Sequence, residues 1–254
     1  MVYKSLRKLA PRILTRAQHW LLPTRCIACG CAGGLQLGDA PAPLDLCSAC
    51  YRQLPFNRHG CLRCGLPLSE TASGMTCGQC LRKAPAYQRS YCAFEYRYPL
   101  ASLVRNLKYG AQLPPARVLG ELLANHLLQH HQETWPQCII PVPLHISRYQ
   151  QRGYNQVIEM ATYLHRRLNL PLRLDILDRI RATAEQAGLS RTERRRNLRR
   201  AFRTTGSQLP DHVVLVDDVI TTGSTVNEAA MTLSKAGVGY IEVWGLARAT
   251  TRSA

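Results

Sequence analysis

The sequence predicts an α/β domain built on a mostly parallel sheet, preceded by a small module that metal holds together. From about residue 91 onward, short apolar segments alternate with helical patterns. That alternation suits a parallel sheet with helices on both faces. Upstream, eight of the eleven cysteines form four CxxC pairs inside 55 residues. A third observation concerns the site: residues 213–226, VVLVDDVITTGSTV, carry four apolar residues into two adjacent aspartates and then into a loop of small residues.

At 254 residues the chain accommodates one large domain or two small ones. We divide it into a basic helix over 1–22, a double zinc module over 23–90 and the α/β domain over 91–250. In the first segment Leu6, Leu9, Ile13, Ala17 and Trp20 recur at helical spacing, although Pro11 interrupts. This helix either docks on protein or lies on a membrane surface. It lacks the continuous apolar stretch of a secretory signal, and no run of about 18 apolar residues exists to span a bilayer. The expected location is therefore cytoplasmic, with a peripheral place at the inner face of the membrane as the alternative. The formal charge of +17 is concentrated: residues 1–90 carry a net +9, and residues 178–203 carry nine arginines against three acids. Such clustering suits phosphate-rich partners, whether nucleic acid or a phosphorylated small molecule.

The cysteine pairs are Cys26/Cys29, Cys47/Cys50, Cys61/Cys64 and Cys77/Cys80, in a stretch rich in Gly and Pro. So few apolar residues cannot supply a core, so a covalent or metal staple must replace it. Four thiolates around tetrahedral zinc do this, and structural zinc contributes about 10–16 kcal/mol of apparent binding energy. Disulfides would require an oxidising compartment, for which no export signal argues. Eight ligands make two Zn²⁺ sites. Sequential pairing (26/29 with 47/50, 61/64 with 77/80) closes the shorter loops, and a cross-braced pairing stays open. Cys31 is too close to Cys29 to join and reads as a spare thiol, His59 as a surface residue or a substitute ligand, and Cys92 and Cys138 as core.

In the second half, 91–100 reads as an aromatic, alternating strand and 100–110 as a short helix ended by Gly110. Proline opens a helix over 114–131 whose Val118, Leu119, Leu122, Leu123 and Leu127 share a face. A buried strand follows at 138–143, then a helix over about 154–168 and a candidate strand at 172–177. Residues 213–217 form a strand, Thr225 and Glu228 a capping box for a helix ending near Gly237, and 240–247 a last strand.

In such sheets ligands sit at the carboxyl ends of strands. After Val216 the chain leaves the sheet through Thr221, Thr222, Gly223, Ser224 and Thr225 into a helix. The amides of that turn, with the positive end of the helix, suit a phosphate. No lysine follows the glycine, so this is not a P-loop. Asp217 and Asp218 would repel a polyphosphate but accept from vicinal ribose hydroxyls. The loop is thus expected to hold a sugar monophosphate.

VVLVDDVITTGST resembles the phosphoribosyl pyrophosphate (PRPP) motif of type I phosphoribosyltransferases. Together with 141-PVPLHISRYQQRGYNQ-156, with Arg181, Thr183, Gln186, Arg194 and Asn197 in 181–201, and with the CxxC pairs, it is similar to the ComF/GntX family of competence and DNA-utilisation proteins. The resemblance spans nearly the whole chain except its first twenty residues. It implies a Rossmann-like type I phosphoribosyltransferase domain that binds PRPP with Mg²⁺. It further implies ribose on Asp217 and Asp218, the 5′-phosphate on Thr221 to Thr225, and pyrophosphate contacts from Arg148 and Arg152 in a loop after a strand. Arg181 joins Asp217 and Asp218 among the implied catalytic residues. The arginine-rich 179–203 span would hold a mobile loop, with a capping box at Ser190 and Glu193. There Arg194, Arg195, Arg196, Arg199 and Arg200 are candidates for nucleic-acid contact. Three readings stand side by side: a phosphoribosyltransferase with an unknown acceptor, a single-stranded-DNA handling protein that keeps PRPP binding, and a zinc adaptor for a DNA-uptake helicase or channel protein.

Overall fold

The computed structural model describes residues 24–40, 42–109, 114–181, 200–206 and 208–250. The chain divides into two compact units, Met1–Gln53 and Leu54–Ala254. The first unit carries the short helix α1 (Ser48–Arg52) and the bridges Arg25↔Ala32 and Leu35↔Leu44. The second unit opens with a cysteine-rich stretch containing α2 (Gly78–Arg82). It continues through β1 (Arg89–Glu95), α3 (Leu100–Tyr109), α4 (Pro114–His130), β2 (Cys138–Pro141), α5 (Ile146–Arg152) and α6 (Gln156–Leu168). An antiparallel pair of β3 (Leu177–Arg179) and β4 (Phe202–Thr204) comes next, then β5 (His212–Ile220), α7 (Ser224–Lys235) and β6 (Tyr240–Arg248).

The sheet order is β1-β6-β5-β2, and all three pairings are parallel. Buried parallel strands read as unbroken apolar runs, and Val213–Val216 and all of β2 are buried accordingly. The strand expected over 172–177 is reduced to one parallel bridge, Ile139↔Leu172, at the β2 edge. Extended pairing resumes only at Leu177, in the separate antiparallel β3–β4 pair. Travel from β1 to β2 and on to Leu172 runs one way across the sheet, and β5 to β6 runs the other. Right-handed crossovers then put α4 and α6 on one face and α7 on the other. Side chains agree: Val213, Leu215, Ile241 and Val243 cluster with Val226, Ala229, Ala230 and Leu233 of α7. On the opposite face α4 and α6 pack so closely that a Cβ at Gly120 would lie 2.6 Å from the Met160 carbonyl oxygen.

The β1 edge does not stay open. Phe56 bridges Phe94 antiparallel, the amide of Ser90 donates to Leu62 O (3.1 Å), and Asn57 Nδ2 donates to Gly65 O (2.8 Å). The second cysteine cluster is thereby fastened along the sheet edge, covering backbone groups that an exposed edge would leave unpaired. At the amino ends of the strands, fully buried Glu242 accepts from His131 Nε2, His212 Nε2 and Trp244 Nε1, each at 2.9 Å. A carboxylate removed from water needs such multiple donors.

Candidate functional site

The cysteines segregate as sequential pairing expects: Cys26, Cys29, Cys47 and Cys50 in one group, Cys61, Cys64, Cys77 and Cys80 in the other. Within each group the sulfurs lie within 4.8 Å of one another. The contacts Cys29 Sγ–Cys47 Sγ (3.8 Å) and Cys64 Sγ–Cys77 Sγ (3.7 Å) match a tetrahedron. Metal–sulfur bonds of about 2.3 Å put tetrahedral ligands about 3.8 Å apart. Both groups follow one local plan. The first pair forms a tight knuckle, with the amides of Gly30 and Gly65 donating to the carbonyls of Cys26 and Cys61 (2.8 Å each). Both glycines need left-handed backbone, φ 75° and 65°. The second pair opens a helix, Cys47 capping α1 and Cys77 preceding α2. Amide donors hold Cys26 down to about 6 although burial opposes them. The Cys64 hydrogen bond brings Cys61 to about 4, against burial. These donor sets fit Zn²⁺. Cys31 is exposed and outside both groups, and Cys92 and Cys138 are buried.

In the second unit, β5 runs through both aspartates to Ile220. Gly223 follows at φ 75°, and α7 starts at Ser224. The expected capping box is not formed. Thr225 lies within the first turn, no side chain caps the helix, and Glu228 accepts instead from the amide of Arg200 (2.8 Å). Left-handed Gly223 lets the chain turn sharply enough to begin the helix without a Ser or Thr cap. Thr222 Oγ1 takes the Ser224 amide (3.3 Å) and meets Ser224 Oγ (2.9 Å). Thr221 is exposed, and Thr222, Gly223, Ser224 and Thr225 are partly so. The uncapped helix start leaves amides to be satisfied from outside, in the geometry that favours anions.

Strand alternation separates the two aspartates. Asp217 continues the Val213–Leu215 face; Asp218 belongs to the face of α3 and α6. Asp217 is partly exposed and accepts the amide of Asp218 on Oδ1 (2.9 Å). Burial, then the adjacent Asp218 charge, push its carboxyl up to about 7, with Lys108 pulling the other way. Asp218 is interior. Its Oδ2 meets Lys108 Nζ at 2.9 Å and accepts from Gln156 Nε2 at 2.9 Å, while Oδ1 takes the Val219 amide at 2.6 Å. Burial lowers the Lys108 pKa, but the Asp218 carboxylate more than restores it.

The stretch Arg152–Gln156 supplies this network. Left-handed Gly153 ends α5, and Asn155 caps α6 by accepting the Val157 amide (2.9 Å). Tyr154 Oη donates to Leu107 O, tying the turn to α3 beside Lys108. Gln156 then reaches Asp218 and accepts from Arg152 Nη1. Arg148 and Arg152, expected in a loop, stand four residues apart on α5, Arg152 at its last turn and over the Tyr109 ring (5.3 Å). Arg152 thus joins Asp218 through one side chain. Nothing in the sequence marks Lys108 or Gln156 as a partner of Asp218, because Asp218 is 110 and 62 residues away along the chain and meets them only in the fold. Arg181 is exposed, and so is Arg200, at φ 56°. Residues 182–199, with the Ser190/Glu193 pair and Arg194, Arg195, Arg196 and Arg199, lie outside the described residues. No helix among the described residues is long and apolar enough to cross a membrane.

Comparison with known proteins agrees with the first half of this picture. The double zinc ribbon domain family matches residues 17–81. Competence protein F of Haemophilus influenzae is 40% identical over 231 residues, 89% of this chain and 97% of that protein. The DNA utilization protein YhgH of Escherichia coli K12 is 38% identical over 206 residues, 80% of this chain and 90% of that one. Among solved structures, glutamine PRPP amidotransferase from B. subtilis, complexed with ADP and GMP, overlaps 52% of this chain and 26% of its own. It does so at 20% identity and a TM-score of 0.33, too loose to bear on the site.

Metal analysis is expected to give two zinc ions per chain. Cys50→Ser and Cys77→Ser should each lose one, and Cys31→Ser none; a third ion, or loss on replacing Cys31, contradicts the assignment. For the buried pair, Lys108→Met leaves Asp218 charged without its ion-pair partner and should cost about 3–5 kcal/mol in denaturant unfolding. Adding Asp218→Asn should recover part of that loss, and additive effects would show that the two groups do not interact.

Proposed function

The chain belongs to the ComF/GntX family, and from that premise we propose that it binds PRPP with Mg²⁺ at the carboxyl end of β5, in the service of DNA uptake or the use of DNA as a nutrient. The observation that supports this most is topological. Neighbouring strands β5 and β2 send their chains in opposite directions across the sheet. Ligands of open α/β sheets bind in the crevice that such a reversal opens. The loop 221–225 after β5 and the segment 142–152 after β2 flank it. In this reading the 5′-phosphate sits on the amides and hydroxyls of Thr221 to Thr225, and the ribose hydroxyls donate to Asp217. Arg148 and Arg152 approach the pyrophosphate from α5, since guanidinium forks match its oxygens.

The reaction such a site supports breaks the C1–oxygen bond of PRPP. The electron pair leaves with pyrophosphate, and an acceptor nucleophile closes on C1. Mg²⁺, when bound, would neutralise the leaving group, and hard oxygen donors such as the Asp217 carboxylate and the loop hydroxyls fit it. Calorimetry with PRPP and Mg²⁺ tests the binding. Wild type should bind, and Asp217→Asn should bind about tenfold or more weakly, having lost a charged acceptor. No binding by wild type would end this reading. Consumption of labelled PRPP with a panel of bases then asks whether an acceptor is used.

A second reading, single-stranded nucleic acid handled without turnover, is favoured by two observations. Asp218 is engaged by Lys108 and Gln156 inside the protein. Exposed Tyr109, Ile146 and Tyr149 accompany Arg148 and Arg152, a mixture of stacking surface and charge that suits single strands. Its mark is electrostatic. Affinity for a single-stranded oligonucleotide should fall about tenfold or more from about 50 to about 200 mM salt, and a flat response rejects it.

A further inference from the structure

Arg248 closes β6 and is buried, 6% exposed. Among the described residues no carboxylate pairs with it. A guanidinium removed from water must be satisfied otherwise, and this one turns to main-chain carbonyls. Nε donates to Cys64 O (2.9 Å), and Nη1 faces Ile220 O (2.9 Å), Ala249 O (2.7 Å) and Thr221 O. One side chain therefore joins a metal-ligand residue of the second cysteine cluster to the first residues of the anion loop.

The geometry of the peptide bond gives this contact a consequence. In a planar trans peptide the C=O and N–H point in opposite directions. Holding the carbonyls of Ile220 and Thr221 on Arg248 turns the amides of Thr221 and Thr222 the other way. Those are amides that a phosphate in the loop would need. On the far side, Cys64 sits in the knuckle Cys61–Gly65, whose shape depends on both sulfurs reaching one metal. A second route runs in parallel. Arg63 Nη1 donates to the carbonyls of Tyr87 (3.1 Å) and Gln88 (2.9 Å). The Ala86 amide donates to Asn227 Oδ1 on α7 (2.9 Å). Tyr87 Oη lies 3.9 Å from where a Cβ on Gly223 would stand.

We propose that Arg248 is a positioning residue that makes the shape of the phosphate loop depend on metal in the Cys61/Cys64/Cys77/Cys80 site. Losing that metal loosens the knuckle, withdraws the Cys64 carbonyl from Nε and frees the Thr221–Thr222 peptide to rotate, while the Ile220 carbonyl stays on the Ala249 amide (2.9 Å). The ribbon then acts as a condition on phosphoribosyl binding as well as a cover for the sheet edge. The inference rests on the PRPP reading only for its ligand, since the coupling itself is a property of the main chain.

Two readouts separate these. Hydrogen exchange of a peptide covering 219–226 follows the loop directly, and calorimetry with ribose 5-phosphate follows its use. Arg248→Lys keeps the charge but cannot reach all four carbonyls. It should retain two zinc ions, exchange about tenfold faster in 219–226 with 213–216 unchanged, and bind ribose 5-phosphate about tenfold more weakly. Cys77→Ser should reproduce both changes, and combining it with Arg248→Lys should add little. Cys31→Ser serves as the cysteine control and should match wild type. Loop exchange in Arg248→Lys equal to wild type overturns the proposal, as do fully additive effects in the double variant. If Cys77→Ser unfolds the unit, Arg248→Lys decides alone. Failure of wild type to bind ribose 5-phosphate would remove the ligand assignment while the exchange result still decides the coupling.

Discussion

The reversal of chain travel between β5 and β2 is the constraint from which the arrangement of the second unit follows. Four parallel strands need crossovers, and right-handed crossovers commit each helix to a face. Because β1, β2 and Leu172 progress one way and β5 and β6 the other, α4 and α6 share one layer and α7 forms the second. The same reversal leaves the ends of β5 and β2 side by side with nothing crossing between them. The loop before α7 and the turn carrying α5 thus meet at one crevice, although their residues are some 70 positions apart.

Buried charge organises the rest. Asp218, Glu242 and Arg248 are each withdrawn from water, and each is satisfied in a different way. Glu242 uses two histidines and a tryptophan, Asp218 uses a lysine, an amide side chain and its neighbour's N–H, and Arg248 uses carbonyls alone. Such groups add little net stability, because desolvation offsets most of what their partners return. Their effect is positional. Each holds together segments that apolar packing would let slide: Asp218 joins β5 to α3 and α6, and Arg248 joins the start of the loop after β5 to the second cysteine cluster.

The cysteine-rich stretch solves a different problem. Residues 24–86 include few large buried side chains, so two metal tetrahedra supply the order that a core would supply elsewhere. The two ribbons nevertheless belong to different units. The first stands in the unit ending at Gln53. The second, through Phe56, Leu62, Gly65 and Arg63, is built into the edge of the sheet. A repeat in sequence therefore need not be a repeat in role.

Local chemistry made much of this readable from the chain alone. CxxC spacing forces sulfur pairs together whatever surrounds them, and apolar runs of four to nine residues flanked by helical periodicity leave few alternatives to a parallel sheet. The small residues after the two aspartates announce a sharp turn into a helix for the same local reason, and left-handed Gly223 makes it. What the residues by themselves could not decide was everything set by distance in space. The strand expected at 172–177 gave way because only Leu172 finds a partner at the β2 edge. The Thr225–Glu228 cap gave way because Gly223 turns the chain a residue earlier and Glu228 is drawn to Arg200. That Asp218 faces inward to Lys108 and Gln156, and that Arg248 ties a metal knuckle to the loop, depends on alternation along β5 and on strand order. Sequence alone supplied the donors and acceptors; only the folded sheet, by choosing which face each side chain takes, decided which of them meet.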